Sequence, residues 1–331
     1  MTLHLPKPTP RATANGLSRP ARLRGVGGFS LVELLVSMTI LAFLMVIIAS
    51  VTNQASVTVR SASALIDASQ SGRSGFDIIT QKLSQATLNT YLDYDSPTAP
   101  TKYVRKSDLH FLVTQNANGS GHDLHFQAPT AYSQTPSYGD TQGLLNAFGF
   151  FVQYGNDDAF RPGKIAKQRW RYRLMQGMQP TENLTIFSDP TNGWTTAVDA
   201  AAWPIADNII ALIVWPRLPT SEDAAGTSVT SNYLYDSRNA GSASVQYAQI
   251  APVIQVTLVM IDEAAAVRLD THSSTPPVAI KNALAASPFT DVTKYQTDLT
   301  ALQTALTVAH INYQVLTTTV AVRESKWSST P

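Results

Sequence analysis

The longest run of apolar residues lies near the N-terminus and extends from Phe29 to Val51. The run contains 23 residues and a single charged one, Glu33. At about 1.5 Å per residue, a helix of this length spans about 35 Å, which is enough to cross a bilayer. The pattern therefore predicts a transmembrane helix over 29–51.

Helical spacing continues beyond this run. Apolar residues recur three or four positions apart at Phe76, Ile79, Leu83 and Ala86, a spacing typical of an amphipathic helix with one buried face. We therefore predict a stalk over 52–95. Its helix runs to about residue 92 and is weakened near the glycines at positions 72 and 75.

The pattern changes to that of strands after the stalk. Short apolar or alternating runs predict strands over 109–113, 124–127, 148–154, 169–174, 209–215, 254–261 and 313–323. Residues 219–241 and 271–288 predict loops, and 295–306 predict an amphipathic helix. The fold class is α+β: a long N-terminal transmembrane-plus-stalk helix packed on a largely antiparallel β-sheet domain, residues 96–331, with loop insertions.

Composition and charge exclude several classes of function. The chain has 331 residues, with 24 Lys+Arg against 23 Asp+Glu, which argues against a dedicated nucleic-acid-binding protein. It has no cysteine, which excludes disulfides, Cys-ligated metals and thiol nucleophiles. Residues 1–28 hold five basic residues and no acid, so the remainder has 19 Lys+Arg against 23 Asp+Glu, a net charge of −4.

The basic segment meets the apolar run at Gly27-Gly28-Phe29-Ser-Leu-Val-Glu33. These residues resemble the prepilin processing motif. The resemblance implies that a prepilin peptidase removes the leader 1–28 by cutting after Gly28 and methylates the new N-terminus, Phe29. It also implies that Glu33 pairs with the Phe29 amine of a neighbouring subunit during assembly. The alternatives for the segment are a secretory signal peptide, for which no A-x-A site follows directly after the apolar run, and a plain signal anchor, in which Glu33 would snorkel to the interface.

The order of elements is similar to that of the larger minor pseudopilins, the J-type and PilW-like subunits, and the closing strand 313–323 resembles their terminal strand. A further resemblance, to Verru_Chthon cassette protein C, is carried by 88–95, 103–111, 121–122, 126–129 and 323–327. These resemblances imply other pilin or pseudopilin subunits and an inner-membrane assembly platform as partners. They imply a single-pass protein of the bacterial inner membrane, N-terminus cytoplasmic and C-terminal domain periplasmic, that moves into a pilus or pseudopilus.

Several residues of the globular region could carry chemistry. His110, His122 and His125 could bind a metal, but an extended 122–125 would point two of them to opposite faces, so we expect solvated or capping histidines. Asp157 and Asp158 fit either a calcium loop or a type I turn.

Two further sets of side chains can be interpreted as either structural or functional. Arg169, Arg171 and Arg173 form one face of a predicted strand, which we expect to be solvated, although it could contact an acidic subunit or a polysaccharide. Three tryptophans could line a sugar or peptide groove, although core positions are the expectation: Trp194, Trp203 and Trp215.

No catalytic motif, cofactor fingerprint or metal motif occurs, so we predict no enzyme activity, no cofactor and no metal. The main hypothesis is a structural minor pilin- or pseudopilin-like subunit of a type IV pilus or a type II secretion pseudopilus. The alternatives are a membrane-tethered periplasmic binding module for carbohydrate or exported substrate, and a tethered hydrolase.

Overall fold

A computed structural model describes residues 28, 30–139, 141–161, 163, 167–189, 191–238, 240–241 and 243–329, without the side chains of 60–69 and 71. The described chain separates into two units, one ending at Ser56 and one beginning at Val57. Residues 1–27 of the predicted leader and Phe29 lie outside the described residues, whereas Gly28 is described. The fold class α+β is confirmed.

The first unit contains the start of helix α1, which runs from Leu31 to Leu83. Its segment Leu31–Val59 is long and apolar enough to cross a membrane, and none of its most apolar window is buried. Large apolar side chains are exposed along this segment, as lipid contact requires. The predicted helix over 29–51 agrees with α1 from Leu31 onward.

The second unit begins within α1, and the end of this helix packs on the globular domain. Ile79, Leu83 and Ala86 are buried, and Phe76 packs against the same core, so the predicted stripe is confirmed. The helix continues without interruption through Gly72 and Gly75. A Cβ at position 72 would overlap the side chain of Met260, so this glycine permits close packing rather than breaking the helix.

Helix α1 ends earlier than residue 92, so that part of the prediction is wrong. After Leu83 the chain tightens, with the Ala86 N–H donating to the Leu83 carbonyl at 3.0 Å. The Thr87 N–H then donates to the Gln127 carbonyl of the sheet at 2.9 Å. The residues that follow are rich in Thr, Tyr and Leu and form a strand, because pairing with another segment outweighs their helical spacing.

The domain contains eleven strands and four further helices among the described residues, in this order: β1 Tyr91–Tyr94, β2 Tyr103–Lys106, β3 Leu112–Gln115, β4 His122–Pro129, β5 Leu145–Gly155, β6 Arg171–Gln179, α2 Gly193–Ala200, β7 Trp203–Asp207, β8 Ile209–Arg217, β9 Tyr235–Asp236, β10 Val253–Ile261, α3 Glu263–Arg268, α4 Val278–Ala285, α5 Tyr295–Val308 and β11 Tyr313–Ala321. The predicted helix over 295–306 is confirmed by α5.

These strands form three sheets. One has the order β7-β6-β5-β4-β3-β9, the second β11-β10-β8, and the third is the hairpin β1-β2. All strand pairs between these named strands are antiparallel. An isolated parallel bridge between Gly121 and Leu212 links the two larger sheets.

A single large core joins these layers. Phe126, Phe148 and Phe150 stack on one face of the six-stranded sheet, with ring centroids 5.9 to 6.4 Å apart, and belong to the same cluster as Ile79 and Leu83. Aromatic rings account for a large share of core burial. Unlike an isolated stalk, the end of α1 is thus part of the core of the globular domain.

Two predicted loops contain regular structure. Residues 271–288 include α4, whose Ile280, Ala283 and Leu284 are buried, and 219–241 include the two-residue strand β9. Helices α2 and α3 were not predicted. Helices α2, α3 and α4 have eight residues or fewer, so each shows only about two turns of helical periodicity. That signal is too weak to outweigh the loop signal of the neighbouring Pro, Gly and Ser residues.

Candidate functional site

The N-terminal end of α1 is closed by a capping box. The Glu33 N–H donates to the Ser30 Oγ at 3.2 Å, and the Ser30 N–H donates to the Glu33 Oε2 at 3.3 Å. The Ser30 carbonyl accepts the N–H of Leu34 at 3.1 Å. This reciprocal pair satisfies two N–H groups that have no partner inside the helix, so it fixes the helix start one residue after Ser30.

The residues around this cap are open. Gly28 is exposed, and nothing lies within 4 Å of the position a Cβ would take there. Glu33 is exposed too, and it is the acid of the first helical turn, where the helix dipole favours negative charge. Its apolar neighbours Leu31, Val32 and Leu34 are more than half exposed. The site therefore combines an accessible glycine with one carboxylate on an apolar helix.

Residues 23–49 match the family model of the prokaryotic N-terminal methylation motif. The chain therefore carries a prepilin-type motif at its N-terminus. The matched segment contains Gly28, Phe29 and Glu33, and it implies processing by prepilin peptidase and assembly with other pilins. No curated protein and no solved structure matches the chain. The resemblance to Verru_Chthon cassette protein C, to J-type and to PilW-like subunits stays a prediction.

The capping box is a feature of this site that the sequence predictions missed. Its signal was present, because Ser30 precedes Glu33 by three residues and an apolar run follows. The box gives Glu33 a structural role within its own helix, because its carboxylate accepts the Ser30 N–H.

His110, His122 and His125 are buried, so the expectation that they are solvated is wrong. The Trp194 Nε1–H donates to His110 Nδ1 at 3.1 Å, and His110 Nε2 lies 2.8 Å from Asp236 Oδ1. Burial lowers the pKa of His110 although Asp236 opposes that shift. His110 therefore joins helix α2 to the sheet as a neutral ring.

The other two histidines also serve packing. The Val214 N–H donates to His122 Nδ1, and His122 Nε2 lies 3.1 Å from the Phe289 carbonyl oxygen; burial lowers the pKa of His122 to about 4. His125 Nε2 lies 2.8 Å from Asp199 Oδ1. Among the described residues, no group of three His, Cys, Asp or Glu side chains could hold a metal ion.

The arginine face of β6 is not solvated, which corrects the prediction. Arg171 and Arg173 are each 4% exposed. Arg171 pairs with Asp270 at 2.9 Å, and Arg173 pairs with Asp207 at 2.9 Å. Strand β6 lies between β5 and β7, and residues after β10 cover this face. Arg169, which precedes the strand, is the exposed member, with about half its side chain accessible.

The paired aspartates before β6 contact arginines. The Arg169 N–H donates to Asp157 Oδ1 at 2.9 Å, and the Arg161 Nη2 donates to Asp158 Oδ1 at 2.9 Å. The hydrogen bonds to Arg169 lower the pKa of Asp157 despite its burial. Both carboxylates thus accept hydrogen bonds from arginines, and neither belongs to a group of three potential metal ligands among the described residues, so the interpretation as a turn fits the structure better.

The tryptophans divide into two groups. Trp194 and Trp215 are buried, so the core interpretation is confirmed for them. Trp203 is 62% exposed and packs beside Phe160, with 5.3 Å between ring centroids. The three do not line a common groove, because Trp194 belongs to a separate small cluster under α2.

The domain also has a surface pocket of about 460 Å³ beside the short strand β9. Its lining includes Gln115, Asn232 and Gln246 together with the apolar Leu112 and Leu234. Amides next to apolar side chains are the usual composition of a small-ligand pocket. The pocket is the feature of the domain that best fits a binding module.

Proposed function

We propose that the protein is a structural, non-enzymatic minor pilin- or pseudopilin-like subunit. The observation that carries the proposal is the N-terminal methylation motif over 23–49, placed directly at the start of an apolar helix with one acid. In this proposal the peptidase cuts after Gly28 and methylates Phe29. The processed subunit then assembles into a type IV pilus or a type II secretion pseudopilus.

Charge supports the proposed orientation. Five basic residues and no acid precede the helix, and basic flanks stay on the cytoplasmic side of the membrane. The leader is then cytoplasmic, where the peptidase cuts, and the domain from Val57 onward is periplasmic. The platform that extracts the helix would act in the same inner membrane.

Glu33 supplies the proposed assembly contact. An acid on an apolar membrane helix is expensive to bury and needs a partner. In the isolated chain its carboxylate is held by the Ser30 N–H. In the assembled filament the methylated amine of Phe29 from a neighbouring subunit would take over, so that both charges are neutralised as the helices pack.

Mass spectrometry of the protein purified from its own membrane tests the processing step. The expected N-terminus is methylated Phe29. A Gly28→Asp variant should keep the leader, whereas Gly27→Ala should still be cut. A native N-terminus at any other residue would overturn the processing proposal.

The role of Glu33 is tested by two substitutions that separate charge from capping. Glu33→Gln keeps a side chain that can complete a capping box, and Glu33→Val removes both the charge and the acceptor of the Ser30 N–H. If the charge pairs with Phe29, both variants insert into the membrane but neither enters filaments. Normal assembly of Glu33→Gln would show that capping, not charge pairing, is the role of this residue.

A second candidate function, a tethered binding module, is favoured by the pocket beside β9. The test is binding of soluble polysaccharides to the full chain in detergent, with Gln246→Ala as the pocket variant and Thr307→Ala on the exposed side of α5 as the control. A shorter fragment that begins at residue 95 is unsuitable, because it lacks the buried Ile79 and Leu83. Binding that is lost only in the pocket variant would support this function.

A further inference from the structure

The outer strand of the three-stranded sheet, β11, uses only one of its two edges. It pairs with β10 over its full length, from Tyr313 opposite Ile261 to Ala321 opposite Val253, without a register shift. The Asp262 N–H donates to the Asn312 carbonyl, and the Val322 N–H donates to the Pro252 carbonyl. The backbone N–H and C=O groups of the even-numbered residues of β11 therefore point toward β10, because residues that bond to one neighbour alternate along an antiparallel strand.

The odd-numbered residues of β11 consequently present their N–H and C=O groups at the outer edge. They are Tyr313, Val315, Thr317, Thr319 and Ala321. No residue in the described part of the chain donates to or accepts from these backbone groups. Arg323, the next odd-numbered residue beyond the strand, does have a partner on this side, since its N–H donates to the Ser84 carbonyl at 3.1 Å.

The edges of the six-stranded sheet are protected against pairing. Strand β7 contains Pro204 and Asp207, and its register with β6 shifts beside Met175. Strand β9 has only two residues, Tyr235 and Asp236. Proline, charge, irregular register and short length are the usual means by which proteins block edge-to-edge pairing.

The opposite edge of the three-stranded sheet is closed as well. The Leu212 N–H donates to the Ser120 carbonyl at 3.0 Å, and the Val214 N–H donates to the His122 ring at 3.1 Å. Both N–H groups lie on the side of β8 away from β10. Strand β8 is thus covered by the segment that leads into β4.

Strand β11 has none of these protections. Its nine residues, Tyr-Gln-Val-Leu-Thr-Thr-Thr-Val-Ala, include no charge and no proline. Thr317, Thr319 and Ala321 are exposed. A long, regular, uncharged edge rich in β-branched residues is a site for strand addition.

We infer that β11 pairs edge to edge, antiparallel, with β11 of a second copy of this chain. A second copy would bind through its own β11, because within the described residues no other edge of the larger sheets is long, uncharged and open. Full overlap sets Thr317 opposite its own copy and Val315 opposite Thr319, with no like charges in contact. The two three-stranded sheets then form one continuous sheet across both copies.

Because the chain has no cysteine, single cysteines report this contact cleanly. Thr317→Cys is introduced into the full chain, purified in detergent and treated with a short bismaleimide. The control is Thr304→Cys on the exposed side of α5. We expect Thr317→Cys to give a covalent homodimer at least tenfold more efficiently than the control.

A charge at the edge supplies the second measurement. Thr319→Lys, added to Thr317→Cys, should reduce the crosslinked dimer at least tenfold, whereas Thr304→Lys in the same background should leave it unchanged. Equal crosslinking at positions 317 and 304, or no effect of Thr319→Lys, would overturn the inference. So would crosslinking in native membranes that captures a different protein and no second copy. These readouts do not depend on leader cleavage, so they stand apart from the proposed function.

Discussion

The two units of the chain place their charged side chains in different surroundings. In the first unit, Glu33 lies among exposed apolar side chains and is bound within its own helical turn. In the second unit, Arg171 and Asp270 lie in the interior and bind each other. In the first unit the apolar side chains lie on the outside, which suits contact with lipid. In the second unit the apolar side chains are buried in a core, which suits a domain surrounded by water. The charge of Glu33 in the first unit is therefore accessible, whereas the buried charges of Arg171 and Asp270 in the second unit are part of the packing.

The largest expected effect is in the second unit. Arg171→Ala leaves the buried Asp270 without its arginine, and breaking a buried ion pair costs about 3–5 kcal/mol. The free energy of unfolding, followed by tryptophan fluorescence in urea, measures the loss. Lys294→Ala is the control, because its pair with Asp291 is exposed and should contribute under about 1 kcal/mol. A similar loss in both variants would contradict the comparison.

The next effect concerns pH. Burial raises the pKa of Asp123 to about 6 and lowers that of His122 to about 4. As pH falls from 6.5 to 4, the unfolded chain binds a proton at His122 that the folded chain does not, which lowers stability. Over nearly the same range the folded chain holds a proton on Asp123 that the unfolded chain lacks, which raises stability.

Asp123→Asn should expose this balance. The variant is expected to be more stable than the parent at pH 7, by about 2–3 kcal/mol, and to lose that advantage by pH 4. His122→Gln should show the opposite trend relative to the parent, becoming more stable as pH falls. Urea unfolding at several pH values measures both, and difference curves of the same slope would contradict the opposing shifts.

A smaller effect is expected where α1 enters the second unit. Gly72→Ala places a methyl group against Met260 and should destabilise the domain by about 1–3 kcal/mol, as overpacking does. Gly155→Ala is the matched control, because nothing lies within 4 Å of its Cβ position. Equal stability of the two variants would show that Gly72 is not needed for close packing.

The smallest effect is expected in the first unit. Ser30→Ala removes the N-cap, which is worth about 1 kcal/mol, and only the first turn of α1 should respond. Hydrogen exchange of the full chain in detergent should become faster around Glu33, while urea unfolding of the domain stays unchanged. A change in domain stability would show that the two units do not respond separately.

The sequence predicted those parts whose signal is local and repeated. The stripe through Ile79 and Leu83 has helical period, β8 begins with an unbroken apolar run over 209–215, and the first half of β10 alternates, so burial follows directly from the pattern. The end of α1 at Leu83 could not be predicted in this way, because the segment after it is held by Gln127, about 40 residues further along.

The interior arginines show the same limit. Alternation along β6 predicted which side chains share a face, but not that this face is covered. The partners of Arg171 and Arg173 are Asp270 and Asp207, 99 and 34 residues away. At the N-terminus the motif is contiguous, so it could be recognised from the sequence, whereas the Ser30 cap was missed. The roles of Gly28, Phe29 and Glu33 stay predictions.

The bond between the Ser84 carbonyl and the Arg323 N–H has a consequence for synthesis. The stalk end of α1 leaves the ribosome roughly 240 residues before the segment that completes its surroundings. At about 5–20 residues per second, that interval lasts about 10–50 s. Throughout it Ile79 and Leu83 have no finished core to enter, so the nascent chain must be shielded from aggregation while its membrane helix is already complete.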